Sequence, residues 1–182
     1  MTAGSRSATP ATPATPVARA TRFGSLASFE KGRVDVIDDD PKNYVLSNVF
    51  DVAARSLPYE RVAVGKNFEY VVEAVRAEGT SDWYVAAHDE FALVMDGKVT
   101  IELVKLSRPS DVVADDAEGA RKLASLPDGR KMGRVVAGRG HMTLLPRGAA
   151  YRFTSPAPGV LMIQTIQGPE TVQRWADICQ TA

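Results

Sequence analysis

From about Phe29 onward the chain alternates short apolar runs with clusters of Gly, Pro and Asp, the rhythm of strands separated by turns. The pattern predicts strands over residues 34–37, 44–50, 61–64, 68–77, 83–88, 91–95, 98–106, 134–137, 142–145, 151–154 and 160–166. So many short strands at close spacing predict an all-β sandwich or barrel. Two turns carry their own mechanics. Asp96-Gly97 supplies the positive-φ position of a tight hairpin between Met95 and Lys98, and Pro146-Arg147-Gly148 closes the strand before Tyr151. Between residues 106 and 134 the strand pattern breaks into a polar insertion with some helical character, expected on the surface. After Gly168, the residues Val172, Trp175, Ala176 and Cys179 recur at helical spacing, so a short amphipathic C-terminal helix is expected.

Composition narrows the picture. A length of 182 residues suits one domain with a real core. Residues 1–28 carry no acidic side chain and include three consecutive Ala-Thr-Pro repeats from Ala8 to Pro16, so they are expected to be a disordered tail ahead of a barrel domain at 29–182. Arg6, Arg19 and Arg22 hint at a transit peptide, but the regularly spaced prolines oppose the amphipathic helix such a peptide needs. Lys and Arg total 22 and so do Asp and Glu, which leaves no basic field for nucleic acid. The single cysteine, Cys179, excludes an intrachain disulfide and a Cys-rich metal centre. No apolar run approaches the roughly 18 residues of a membrane span, so a cytoplasmic protein is expected.

Candidate chemistry gathers in two stretches, His88-Asp89-Glu90 through Gly97 and Gly140 through Tyr151. They resemble the two motifs of the cupin barrel. Glu90 stands six intervening residues before Gly97, where the first motif has its glutamate, and Gly140, Pro146 and Gly148 match the second. The histidine positions do not match: those of the first motif fall on Tyr84 and Ala86, and that of the second falls on Tyr151. The resemblance therefore implies a cupin-like β-barrel, a jelly roll with short flanking helices, that keeps one carboxylate and has lost its imidazoles. If Glu90 points inward, strand alternation puts Tyr84, Ala86 and His88 on the same face, and Tyr151 is expected opposite. Tyr84, His88, Glu90 and Tyr151 then form an interior polar cluster. Trp83, Val85, Ala87, Phe91, Leu93 and Met95 take the outer face, whose apolar character calls for a cover: a second barrel, the chain's own flanks, or another subunit.

A metal is not expected in this barrel. The alternative is a set of His88, Glu90 and His141, two imidazoles and a carboxylate of the kind used by non-haem iron. His88 and Glu90 could chelate from one strand, but His141 begins a strand at the wrong end of its motif. There is no phosphate-binding loop, dinucleotide fingerprint or nucleophile elbow.

Four segments, residues 38–44, 59–67, 75–80 and 87–97, resemble the small subunit of the two-component hydroquinone dioxygenases. The likeness runs from about Phe29 to the carboxyl terminus. It implies a non-catalytic cupin-type subunit, in an α2β2 assembly with a larger catalytic cupin subunit that holds Fe(II). It implies, too, that the complex cleaves an aromatic diol, hydroquinone, with O2 to 4-hydroxymuconic semialdehyde. Should any residue of this chain reach the partner's pocket, Trp83 is the candidate, because an aromatic wall suits a planar phenol. Two other readings stay open: a stand-alone cupin enzyme with a divergent metal site, and a metal-free module that binds a small ligand.

Overall fold

The computed structural model describes residues 23–32, 34–40 and 47–178. A first helix, α1 (Val49–Ala54), precedes the strands β1 (Arg61–Asn67), β2 (Tyr70–Thr80), β3 (Tyr84–Ala86), β4 (Glu90–Asp96) and β5 (Lys98–Leu106). There follow β6 (Ala120–Lys122), β7 (Gly129–Gly138), β8 (Met142–Leu145), β9 (Ala149–Ile166), β10 (Thr171–Val172) and a last helix, α2 (Trp175–Ile178). The spine is β9. Its C-terminal half lies between β2 and β4, its N-terminal half pairs with β5, and Tyr151 meets Tyr84 of β3. Two strand sets thus share β9, β10-β1-β2-β9-β4-β8 and β6-β3-β9-β5-β7, and together they curl into a cupin-like β-barrel. Inward positions of both sets, among them Val75, Ala92, Val94, Ile101, Phe153 and Leu161, form the core.

Several elements differ from the sequence expectation, each for a local reason. Residues 34–37 form no strand, and both Val34 and Ile37 are exposed. The strand expected over 44–50 falls partly outside the described residues, and its end is the start of α1. There the Asn48 side chain caps the helix by accepting from the amides of Phe50 and Asp51, and Asp51 favours the first turn. Asp96-Gly97 does not close a hairpin: β4 and β5 do not pair with each other, because each instead pairs with a different half of β9. Gly97 does take a positive φ of 81°, and the turn passes so close to β9 that a Cβ on Gly159 would lie 2.6 Å from the Asp96 carbonyl oxygen. The two strands expected at 151–154 and 160–166 are one. Pro156, Ala157 and Pro158 stay on the exposed side of an irregularity, opposite the shift between Ala77 and Gly79 of β2. The C-terminal helix is only one turn long, with Val172 in β10 rather than in the helix, and Cys179 lies outside the described residues.

The outer face of the barrel is covered unevenly. Over β3, the chain's own insertion supplies the cover: Val85 and Ala87 pack with Leu106, Val113 and Ala150, with Trp83, Ala117 and Leu123 at the margin. Over β1 and β2, the cover is α1 and α2, through Val52 and Ile178 against Val62 and Ala74. Over β4 and β8 much of the face is open. Phe91 is 40%, Leu144 44% and Met142 62% exposed, and the strand register sets Phe91 beside Leu144 and Leu93 beside Met142. The end of the expected N-terminal tail, residues 23–28, forms a turn held to the barrel by a 2.7 Å bond from the Leu26 amide to Asp96 Oδ2.

Candidate functional site

Four strands each send one polar side chain to the barrel centre. Glu73 enters on the inward parity of β2, the same face as Val75 and Ala77, and Glu90 on that of β4, with Ala92 and Val94. Tyr151 enters from β9 on the face of Phe153, and Arg61 from the first position of β1, which pairs with Val75 and Thr171. The guanidinium joins the other three. Its Nε donates to Glu73 Oε2 at 2.5 Å, Nη2 donates to Glu90 Oε1 at 2.7 Å, and Nη1 donates to the Tyr151 hydroxyl at 3.0 Å. The Tyr151 hydroxyl in turn donates to Glu90 Oε2, and Thr171 on β10 donates to Glu73 Oε1 at 2.7 Å. Glu73 and Glu90 are fully buried and the Arg61 side chain is 3% exposed, so this is an ion-pair network out of water.

One cation facing two carboxylates sets their ionisation apart. Burial opposes the charge on Glu90, but the Arg61 charge and the hydroxyl of Tyr151 outweigh it and hold this carboxyl below the usual range. On Glu73 burial prevails over the pull of Arg61 and Thr171, and the negative charge of Glu90 adds to it, so this carboxyl is pushed up. Burial also works against the charge on Arg61, yet Tyr151 and the two carboxylates raise it well above its ordinary value. Burial drives the Tyr151 phenol far up, leaving it a neutral donor.

Of the residues expected in the interior, Tyr84 stacks on Tyr151 with ring centroids 5.8 Å apart, and the guanidinium lies 5.7 Å over the Tyr84 ring. Burial lifts the Tyr84 phenol to about 12. His88 meets the end of β9, at Thr165 and Ile166. Its Nε2 accepts from the Ile166 amide at 3.2 Å and lies 2.9 Å from the Thr165 hydroxyl, which puts the ring proton on Nδ1, a buried atom with no partner among the described residues. Burial lowers the His88 pKa, so the ring is a neutral group at physiological pH.

His141 does not join His88 and Glu90. Its backbone bonds to Val94, and its exposed side chain bonds the Gly138 carbonyl, so it sits toward the far end of β4 from Glu90. At about 3.3 Å per residue, the four-residue offset along β4 separates them by roughly 13 Å, far beyond a shared coordination sphere. Among the described residues, no group of three or more His, Cys, Asp or Glu side chains is placed to hold a metal ion. The donor set at the barrel centre does not fit one either, because Glu73, Glu90 and Tyr151 already turn their oxygens to a guanidinium.

Trp83 lies outside the barrel interior, partly buried under the insertion. The Leu123 amide bonds its carbonyl, the Arg152 guanidinium lies 4.7 Å over its ring, and its indole Nε1 is buried without an acceptor among the described residues. Sequence reasoning missed Arg61 and Glu73. The available signal was a lone charge inside each apolar strand, Val71-Val72-Glu73-Ala74-Val75 and Arg61-Val62-Ala63-Val64. A cavity of about 350 Å³ lies beside Arg61, lined also by Tyr59, Ser81, Tyr84, Lys122 and Glu170. No helix among the described residues is long and apolar enough to cross a membrane.

Among solved structures, the chain is similar to hydroquinone 1,2-dioxygenase from Sphingomonas sp. TTNP3 with 4-hydroxybenzoate bound. Identity there is 58% over 89% of this chain and 98% of that one, with a TM-score of 0.86. Against a chain of hydroquinone 1,2-dioxygenase PnpCD in complex with Cd2+ and 4-hydroxybenzonitrile, identity is 50% over 92% of this chain and 100% of that one, with a TM-score of 0.84. A longer chain of PnpCD, from its complex with Fe3+, shares the fold alone: 12% identity over 79% of this chain and 40% of that one, with a TM-score of 0.57. No protein-family model matches the sequence, nor does any curated protein.

Proposed function

This chain belongs to the hydroquinone 1,2-dioxygenase family, and from that premise we propose that it is the small, non-catalytic subunit of such a ring-cleaving enzyme. Its partner is a larger cupin chain that carries Fe(II), in an α2β2 assembly. In the assembly, hydroquinone and O2 give 4-hydroxymuconic semialdehyde, both oxygen atoms entering the product. The observation that carries the non-catalytic assignment is the Arg61 guanidinium at the barrel centre, bonded to the carboxylates and the phenol that a metal there would need.

The role left to this chain is to build and wall the complex. The open apolar face of Phe91, Met142 and Leu144 is the surface we assign to the partner, since a strand face of this kind calls for cover. Trp83 is the residue we assign to the wall of the partner's pocket. Its indole N–H, buried without an acceptor among the described residues, supports an acceptor supplied by the partner. What this requires of the insertion is that its cover over Trp83 be continuous with the interface.

The test is assembly. The full chain is co-expressed with a larger cupin chain of a hydroquinone 1,2-dioxygenase, one of the two carrying an affinity tag, and the purified species is weighed by native mass spectrometry. A heterotetramer of two small and two large chains is expected. A chain that purifies only as a homo-oligomer, with the larger chain present and folded, would overturn the proposal.

A further inference from the structure

We propose that the centre of this barrel is a cation site that the chain fills with its own guanidinium, so that Arg61 takes the place of a metal ion and excludes one. The inference stands on the geometry of this chain and does not depend on its role in a larger enzyme. Three acidic or phenolic side chains from β2, β4 and β9 converge on a single point from different directions, and the group at that point is the only positive charge among them. Such convergence is what oxygen ligands do around a hard cation. Here each strand is tied to the next through the guanidinium fork: β1 to β2 by Nε, β1 to β9 by Nη1, and β1 to β4 by Nη2.

The planar fork matters as much as the charge. Arg presents fixed donors in one plane, so it can bridge two carboxylates and a phenol at once, whereas the compact ammonium of Lys cannot span all three. The Tyr84 ring beneath the guanidinium adds a face that suits a flat, weakly hydrated cation. A divalent ion cannot enter beside Arg61, since the carboxylate oxygens it would need already accept from Arg61, Thr171 and Tyr151, and a second positive charge would sit within a few ångströms of the first. Remove the guanidinium, and the same oxygens surround a space adjoining the cavity lined by Tyr59, Tyr84 and Lys122, through which a small ion can reach them.

The experiment uses the full chain, wild type and Arg61→Ala, stripped with chelator and then offered Mn2+, Ca2+, Zn2+ or millimolar guanidinium chloride. Bound metal is measured by mass spectrometry after dialysis, and thermal unfolding is followed in parallel. The wild type is expected to retain no stoichiometric metal and to show no stabilisation by any of the ions. Arg61→Ala is expected to melt lower and to regain part of the loss with guanidinium or with an oxygen-preferring divalent ion, and adding Glu90→Gln is expected to abolish that rescue. One metal ion per wild-type chain, or an Arg61→Ala chain that melts like wild type and ignores every cation, would overturn the proposal. If Arg61→Ala is insoluble, the pair Arg61→Lys and Arg61→Met decides. A Lys variant that melts below the wild type but above the Met variant supports a required cation, and a Met variant at least as stable as the Lys variant refutes it.

Discussion

Neutralising each buried carboxylate in turn should have unequal effects. Glu90→Gln keeps the shape but removes the charge that answers Arg61 and receives the Tyr151 hydroxyl, leaving one NH2 facing a donor. Breaking one partner of a buried ion pair costs about 3–5 kcal/mol, and that is the expected loss. Glu73→Gln removes the charge that makes the cluster net negative while leaving an oxygen to accept from Arg61 Nε, so its expected cost is within about 1–1.5 kcal/mol, the scale of one ordinary hydrogen bond. The pH dependence follows the same division. Glu90, held below its ordinary value of 4.5, contributes stability that is present above that value and is lost as pH falls through its folded pKa. Glu73, pushed above 4.5, does the opposite: its contribution declines as pH rises from 4.5 through its folded pKa. Urea unfolding of the three full-length proteins at pH 5 and pH 7 measures both effects. Glu73→Gln should gain on the wild type between pH 5 and 7, and Glu90→Gln should not. Equal losses in the two variants, or a greater loss in Glu73→Gln, would refute the reasoning.

Further outcomes are expected elsewhere in the molecule. In the co-expressed complex, Trp83→Ala should raise KM for hydroquinone or lower turnover with iron content intact, and unchanged steady-state kinetics would remove this residue from the pocket wall. Leu144→Glu, placed on the open face beside Phe91, should leave the isolated chain as stable as wild type and prevent its copurification with the larger chain. Gly159→Ala should destabilise the chain by about 1–3 kcal/mol, the range for overpacking, because its new methyl meets the Asp96 carbonyl where β4 turns toward β5; a thermal melt checks it.

The barrel was legible where local rules act alone. Period-two alternation through Glu90, Ala92 and Val94 needs nothing beyond the strand itself, and Gly97 and Gly148 announce positive φ in sequence. The partner of each strand was not legible, because it depends on β9. Ser155-Pro156-Ala157-Pro158-Gly159 has the composition of a turn, yet flanking pairing with β2 carries the strand past it. The hairpin expected at Asp96-Gly97 rested on turn composition alone, and it exists only if β4 and β5 are neighbours. Residues 49–50 read as strand because Val and Phe favour sheets, while the Asn48 cap and the burial of Val52 against Val62 favour the helix. At the centre, motif position identified Glu90 and Tyr151. Arg61 could be found only as a buried charge that its own strand does not explain, since its three partners lie 12, 29 and 90 residues away.

The most direct test of the central claim separates the two subunits. Each full chain is purified alone and then the two are mixed, with iron content and hydroquinone-dependent O2 uptake measured at every step. This chain alone is expected to hold no stoichiometric iron and consume no O2, while the mixture shows iron on the larger chain and ring cleavage. Tight iron in this chain, together with O2 uptake in the absence of its partner, would contradict the account.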